Sequence, residues 1–294
     1  MKKMKYVLAF LYIVTTSTIA SAKVLVAASI PDLASIASYV GGERVTTFAI
    51  THGNDNAHSV EVLPSYMIKV AKSDLYLKVG LQLDQWASGI IDGSRNRRLK
   101  VIDCSTGISV LEKPVGRVSA EQGDVHPDGN PHYWLDPSRA AIAAATIAEA
   151  LALIDPNRAS IYRMNAAKFA GEAENRKSEW KQRLSGAASH PLITYHRSWA
   201  YFTDVFGFTQ AGYVEPIPGI PPTGSHQKDL IEIIKARGVK LLLEEAFYPS
   251  DAGEFLERQT GIKVIKADAS CSGSEANSYF DHIEQLVRQI EDIR

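Results

Sequence analysis

Cysteine is nearly absent. Cys104 and Cys271, 167 positions apart, are the two the chain contains, so it holds at most one disulfide, and spacing alone leaves a bridge and two small buried thiols both open. The apolar run near the start, Tyr6 to Val14, falls short of the ~20 residues that a membrane-spanning helix needs. It follows Lys2, Lys3 and Lys5 and leads to Ala20-Ser21-Ala22, the small-residue pattern of a signal-peptidase site, so residues 1–22 are expected to be a cleaved leader. No cysteine stands at that point to take a diacyl anchor. The expected product is a soluble periplasmic chain beginning near Lys23.

Basic charge is not in excess either. Without the leader the chain has 29 basic and 33 acidic residues, a charge of about −4 with histidines neutral, which argues against nucleic acid as a partner. No low-complexity tract or internal repeat announces a solenoid. Neither a His-Glu-x-x-His helix nor a Gly-x-Ser-x-Gly elbow is present, so the familiar signatures of zinc and serine hydrolases are missing.

What is present is strand and helix in alternation. Apolar runs at 24–29, 44–50, 75–79 and 100–103 read as strands, separated by helices closed by Gly41-Gly42, opened by Pro64, and spanning Leu83 to Ile91. Asp136-Pro137 is a capped helix start leading an alanine-rich segment to about Leu153. From Asp155-Pro156 a helix is expected to about Leu184 with no internal proline, some ~40 Å at 1.5 Å per residue, longer than one lobe needs. The alternation then restarts, with strands at 192–195, 209–214, 239–243 and 263–266, helices after Ser198, from Gln227 and around 252–258, and a last helix from Glu275. Repeated strand–helix units predict an α/β fold of mostly parallel sheets flanked by helices, in two lobes joined by the long helix.

Ligands of such sheets bind beyond the carboxyl ends of the strands. His196 and Asp268 directly follow two predicted strands, and His58 lies in the loop after a third. With His132 they make a set of three imidazoles and one carboxylate, which would fill a tetrahedral zinc site and leave no position for a reactive water. Each has a plainer reading. On the residues alone His58, in His58-Ser-Val-Glu61-Val-Leu-Pro64-Ser65, also reads as a solvated loop histidine, and His132, in Asn130-Pro131-His132-Tyr133-Trp134-Leu135-Asp136-Pro137, as a histidine packed beside Trp134.

These two segments, with Thr194-Tyr195-His196-Arg197-Ser198-Trp199 and the stretch from Val214-Glu215-Pro216 to Glu244-Glu245, resemble the metal-binding solute-binding proteins of ATP-binding-cassette importers, the group with the periplasmic zinc and manganese receptors. The resemblance covers the mature chain in order, and its most specific parts are His-x-x-Glu-x-x-Pro-Ser and Pro-His-x-Trp-Leu-Asp-Pro. It implies an N-terminal lobe over 23–154, a rigid linking helix over 155–185 and a C-terminal lobe over 186–294, with metal in the cleft. It implies a non-catalytic monomer that hands its ion to a membrane permease with little lobe movement. A surface adhesin or periplasmic zinc buffer on the same fold is the competing reading.

By the same resemblance the ligands fall on His58, His132, His196 and Asp268. Glu244 and Glu245 are rivals for the last place, since Ala269-Ser270-Cys271-Ser272-Gly273 after Asp268 departs from the family's continuation. Histidine at 196, where manganese receptors carry glutamate, favours zinc, as nitrogen donors do. The loop over 118–130, long and histidine-rich in many zinc receptors, is short here and offers Glu121, Asp124, His126 and Asp128. Those residues read as a solvated loop or a transient zinc capture point, and His52 and His226 as surface histidines.

Overall fold

The computed structural model describes residues 22–116, 123 and 125–293. The expected leader, apart from Ala22, and Glu121 and Asp124 of the short acidic loop lie outside the described residues.

Two parallel sheets are built from eight short strands. The first holds β1 (Val24–Ala28), β2 (Val45–Ala49), β3 (Leu75–Lys78) and β4 (Lys100–Asp103) in the order β2-β1-β3-β4. The second holds β5 (Leu192–Thr194), β6 (Gln210–Tyr213), β7 (Leu241–Glu244) and β8 (Lys263–Lys266) in the order β6-β5-β7-β8. Every pairing is parallel, and both lobes repeat one topology, with the second strand outside the first and the third and fourth on the other side. Each sheet therefore reverses its winding between its first and third strands, and the carboxyl ends there frame a crevice.

The helices follow from local chemistry. Proline stands at or next to the first helical residue of α1 (Pro31–Gly41), α2 (Pro64–Val70) and α4 (Pro137–Ile154), where its missing N–H costs nothing. Asp136 caps α4 by accepting the Ser138 N–H. Helix α3 (Ala87–Ser94) starts later than the apolar pattern suggests. Gly80, Leu81 and Gln82 all adopt positive φ, and the Asp84 carboxylate accepts the Val79 N–H at 2.7 Å, so a turn occupies the segment expected to be helical. Beyond the linking helix lie α6 (Ala200–Phe206), α7 (Gly224–Arg237), α8 (Asp251–Thr260) and α9 (Ser278–Ile290).

The linking helix, α5, runs from Ala159 to Ala188, four residues past the expected end. Tyr162, Ala166, Phe169, Ala173, Trp180, Leu184 and Ala187 recur at helical spacing along its buried stripe. Their neighbours include α4 and α9, and the hydrophobic core they join is continuous from Val26 and Leu77 in the first lobe to Leu243 and Phe280 in the second. Arg183 of α5 reaches Glu284 of α9 and Glu291, the residue just after α9, at 2.9 and 2.8 Å.

Polar ties cross the same seam. Ser35 Oγ donates to the Glu275 carbonyl at 2.6 Å and Ser38 Oγ to that of Ser274 at 2.7 Å. Trp134 Nε1 donates to the Ala269 carbonyl at 2.7 Å, and the Tyr279 hydroxyl donates to the Trp134 carbonyl at 2.8 Å. The Cys271 N–H faces the fully buried Asp32 carboxylate at 3.3 Å, where burial raises the Asp32 pKa to about 7. These bonds fix the segment before α9 against α1, which is why α9 begins at Ser278 and not at Glu275. Cys104 and Cys271 are buried and unbridged.

Candidate metal centre

The three histidines of the predicted set lie in segments that follow strands β2, β4 and β5. His58 lies in the connection from β2 to α2, His132 between β4 and α4, and His196 two residues after β5. The fold brings these three together. One ligand atom from each lies within 4.8 Å of the other two, and His58 Nε2 stands 3.2 Å from His132 Nε2. Two nitrogens at ~2.0–2.1 Å from one tetrahedral zinc are separated by roughly 3.3 Å, so that contact already has the dimension of a shared ion.

On His132 and His196 the other ring nitrogen is engaged, which fixes how those two imidazoles present themselves. Asn130 Oδ1 is an acceptor and takes both the His132 N–H and its Nδ1–H at 3.0 Å. The Asn130 amide in turn donates to the Arg197 carbonyl at 2.8 Å and to Glu112 at 2.9 Å, and the Tyr201 hydroxyl donates to the Asn130 carbonyl at 2.7 Å. One side chain thus orients a first-lobe ligand and ties it to the second lobe. His196 Nδ1 donates to Glu215 Oε2 at 2.8 Å, and both groups are buried. Each partner leaves Nε2 with its lone pair free for a cation, the arrangement that supports metal-binding histidines elsewhere.

Burial and crowding hold the imidazoles neutral. The pKa values of His58 and His132 lie well below the ordinary 6.5, through burial first and then through neighbouring imidazoles, His196 for the first and His58 for the second. His126 is lowered to about 4, by burial and then by His196. A neutral ring is the ligating form, so no proton has to leave at neutral pH before an ion binds.

The carboxylates are placed differently. Asp268 is not in the group of three; it lines a separate polar cavity of about 270 Å³ with Ser270, Glu275 and His282, and its Oδ1 is buried with no hydrogen-bond partner among the described residues. Burial raises its pKa. Glu244 is committed to Lys266 at 2.6 Å. Glu245 is completely buried near His196 and Ser198, neither of its oxygens accepts a hydrogen bond of normal geometry among the described residues, and burial raises its pKa. His52 pairs with Asp55 at the surface, and His226 Nε2 lies 2.9 Å from the Tyr213 carbonyl.

Reading the sequence passed over Glu215 and Asn130 as partners of the predicted histidines and left His126 as either a solvated loop residue or a transient zinc capture point. The His126 ring stacks on His58 with centroids 5.1 Å apart. Glu215 stands in a stretch that the family resemblance already covered, and Asn130 two residues before His132, a spacing that lets an amide return to the backbone N–H ahead of it.

The family model described as zinc-uptake complex component A, periplasmic, matches residues 26–293. Among curated proteins, the chain is 25% identical over 235 residues to the iron-binding protein YfeA of Yersinia pestis, covering 78% of this chain and 71% of that one. It is 20% identical over 271 residues to the zinc-binding protein AdcA of Streptococcus pyogenes serotype M3, covering 87% of this chain and 52% of the other, so it spans about half the length of that relative. A crystal structure of ZnuA superimposes with a TM-score of 0.79 at 25% identity, over 92% of this chain and 99% of that one.

Proposed function

We propose, because the chain belongs to the family of periplasmic component A proteins of zinc-uptake complexes, that it is a receptor that captures Zn²⁺ between its lobes and delivers it to the membrane permease of an ATP-binding-cassette importer. The observation that carries this is the meeting of His58 and His132 of one lobe with His196 of the other, one ligand atom from each within 4.8 Å. Three nitrogen donors favour zinc over manganese or iron(II), which rank lower in affinity at such a site. The lobes are taken as 23–154 and 186–294, joined by 155–185, in an exported monomer without catalytic activity.

Release is proposed to come from a ligand loop. The core continuous through both lobes and the α1–α9 ties support a seam that resists hinging, so docking on the permease would act on the loops that carry His58 and His132. Metal analysis and zinc titration of the mature protein, beside single alanine changes at His58, His132, His196, Asp268 and Glu245, test the reading. One zinc per chain, with each histidine change weakening binding, is expected; unchanged binding in all three histidine variants would refute it. The Asp268 and Glu245 variants ask whether a carboxylate holds the fourth position.

A further inference from the structure

Three imidazoles fill three corners of a tetrahedral zinc site and leave one. We propose that His126 fills it, so that the cargo is held by four imidazoles and the site takes Zn²⁺, Ni²⁺ or Cu²⁺ in preference to Mn²⁺ or Fe²⁺. This rests on the reading that His58, His132 and His196 bind the ion.

Position is the first argument. His126 shares with His132 and His196 the lining of a cavity of about 90 Å³, which is large enough for an ion together with a few waters. Its ring lies face to face with His58, at 5.1 Å and an interplanar angle of 30°. The second argument is an unmet bond: His126 Nε2 is buried and has no hydrogen-bond partner among the described residues. An orphaned imidazole nitrogen costs free energy unless something occupies its lone pair or its proton, and a cation among the neighbouring rings would do so. In the structure His126 is not one of the group of three, and the proposal requires its side chain to turn towards them, a motion of rotamer scale.

The backbone around it is built to hold that ring over the cleft. The Gly129 N–H donates to the His126 carbonyl at 3.0 Å, closing a turn, and Gly129 takes φ +102° where a Cβ would collide with Val110. Asp128 accepts the Gln82 amide at 2.9 Å in the first lobe, and Gln82 is itself held at φ 65° in the turn after β3, a conformation uncommon for a residue with a side chain. Gly123 meets Pro218 and Ile217 of the second lobe so closely that a Cβ would not fit. The segment carrying His126 is thus pinned to both lobes.

The carboxylate alternatives lack this placement. Asp268 faces a different cavity, which none of the four histidines lines, and Glu245 lines none of the cavities that touch them. Softer nitrogen donors without a carboxylate give the metal preference stated above, because manganese and iron(II) lie lowest in affinity at nitrogen sites and manganese is better served by oxygen.

Zinc competition titration and zinc-edge X-ray absorption of the full mature protein test the proposal, using His126→Ala, His126→Gln, Asp268→Ala, Glu245→Ala and His132→Ala. The expected result is a loss of more than about tenfold in zinc affinity for both His126 variants, beyond the low end of what a lost supporting contact costs, with the fitted imidazole count falling from four to three. Asp268→Ala and Glu245→Ala should stay within about threefold of wild type, well inside that scale. If the His126 variants bind like wild type while His132→Ala loses zinc, the fourth-ligand assignment is overturned and the three-histidine site stands. If His132→Ala also binds like wild type, the site reading itself fails. An Asp268→Ala loss with a three-imidazole, one-carboxylate spectrum in the wild type would assign the corner to Asp268.

Discussion

The two lobes repeat one strand order and bring their histidines to the proposed site by different means. In the first, His58 and His132 come from long connections, and the visible restraint on the second is a neutral amide, Asn130. In the second, His196 comes two residues after a central strand and is held by a buried carboxylate, Glu215. A shared topology therefore does not produce a symmetric site. In the proposed site one half offers a histidine just after a strand, and the other offers histidines carried on longer connections.

The contrast predicts unequal costs. His196→Ala should weaken zinc by more than the ~10–100-fold typical of losing a supporting contact, and by more than His58→Ala, whose loop can admit a water in place of the ring. Isothermal titration of the two variants decides it, and equal losses would remove the distinction between strand-borne and loop-borne ligands. Next in size, Glu215→Gln should weaken zinc by about 10–100-fold, and Asn130→Ala by less, because an ionised acceptor makes the imidazole a stronger donor to the metal than an amide does. A larger loss for Asn130→Ala would show that positioning across the cleft outweighs charge.

Acid provides a smaller and graded test. His126 and His282 are each lowered to about 4 by burial, and His58 and His132 lie well below 6.5. Depressed values mean that the unfolded chain takes up protons more readily than the folded one. The share of the metal-free protein's stability that the His126 and His282 imidazoles carry, read against a His126→Gln/His282→Gln variant so that the opposite contribution of the raised Asp32, Glu245 and Asp268 carboxyls cancels, should thus be fully present above about 6.5 and decline as pH falls from there towards about 4. Melting temperatures of the two metal-free proteins from pH 7.5 to 4.5 check this, with no change in their difference below pH 6.5 as the contrary result. Smallest is the seam: Trp134→Phe removes the donor to the Ala269 carbonyl and should cost about 1–3 kcal/mol in denaturant unfolding while leaving zinc stoichiometry unchanged.

The alternation of apolar runs with capped helices made both lobes and the linking helix legible from sequence. It did so because strand ends, Asp136-Pro137 and the α5 stripe are each written in neighbouring residues. The grouping of His58, His132 and His196 was an expectation of the family resemblance, since local pattern left His58 readable as a solvated loop histidine and His132 as one packed beside Trp134. What the sequence could not show was direction. Period-two alternation after β8 turns Ala267 and Ala269 towards the core and sends Asp268 into its own cavity, although it stands at a strand end as His196 does. Asn130, Glu215 and His126 depend on contacts across the chain that no local pattern records.

Zinc-edge anomalous diffraction from zinc-loaded crystals of the mature protein tests the central claim most directly. The account predicts one strong peak between His58, His132 and His196 in lobes arranged as they are here. A peak at the Asp268–His282 cavity with none among those three rings would contradict it.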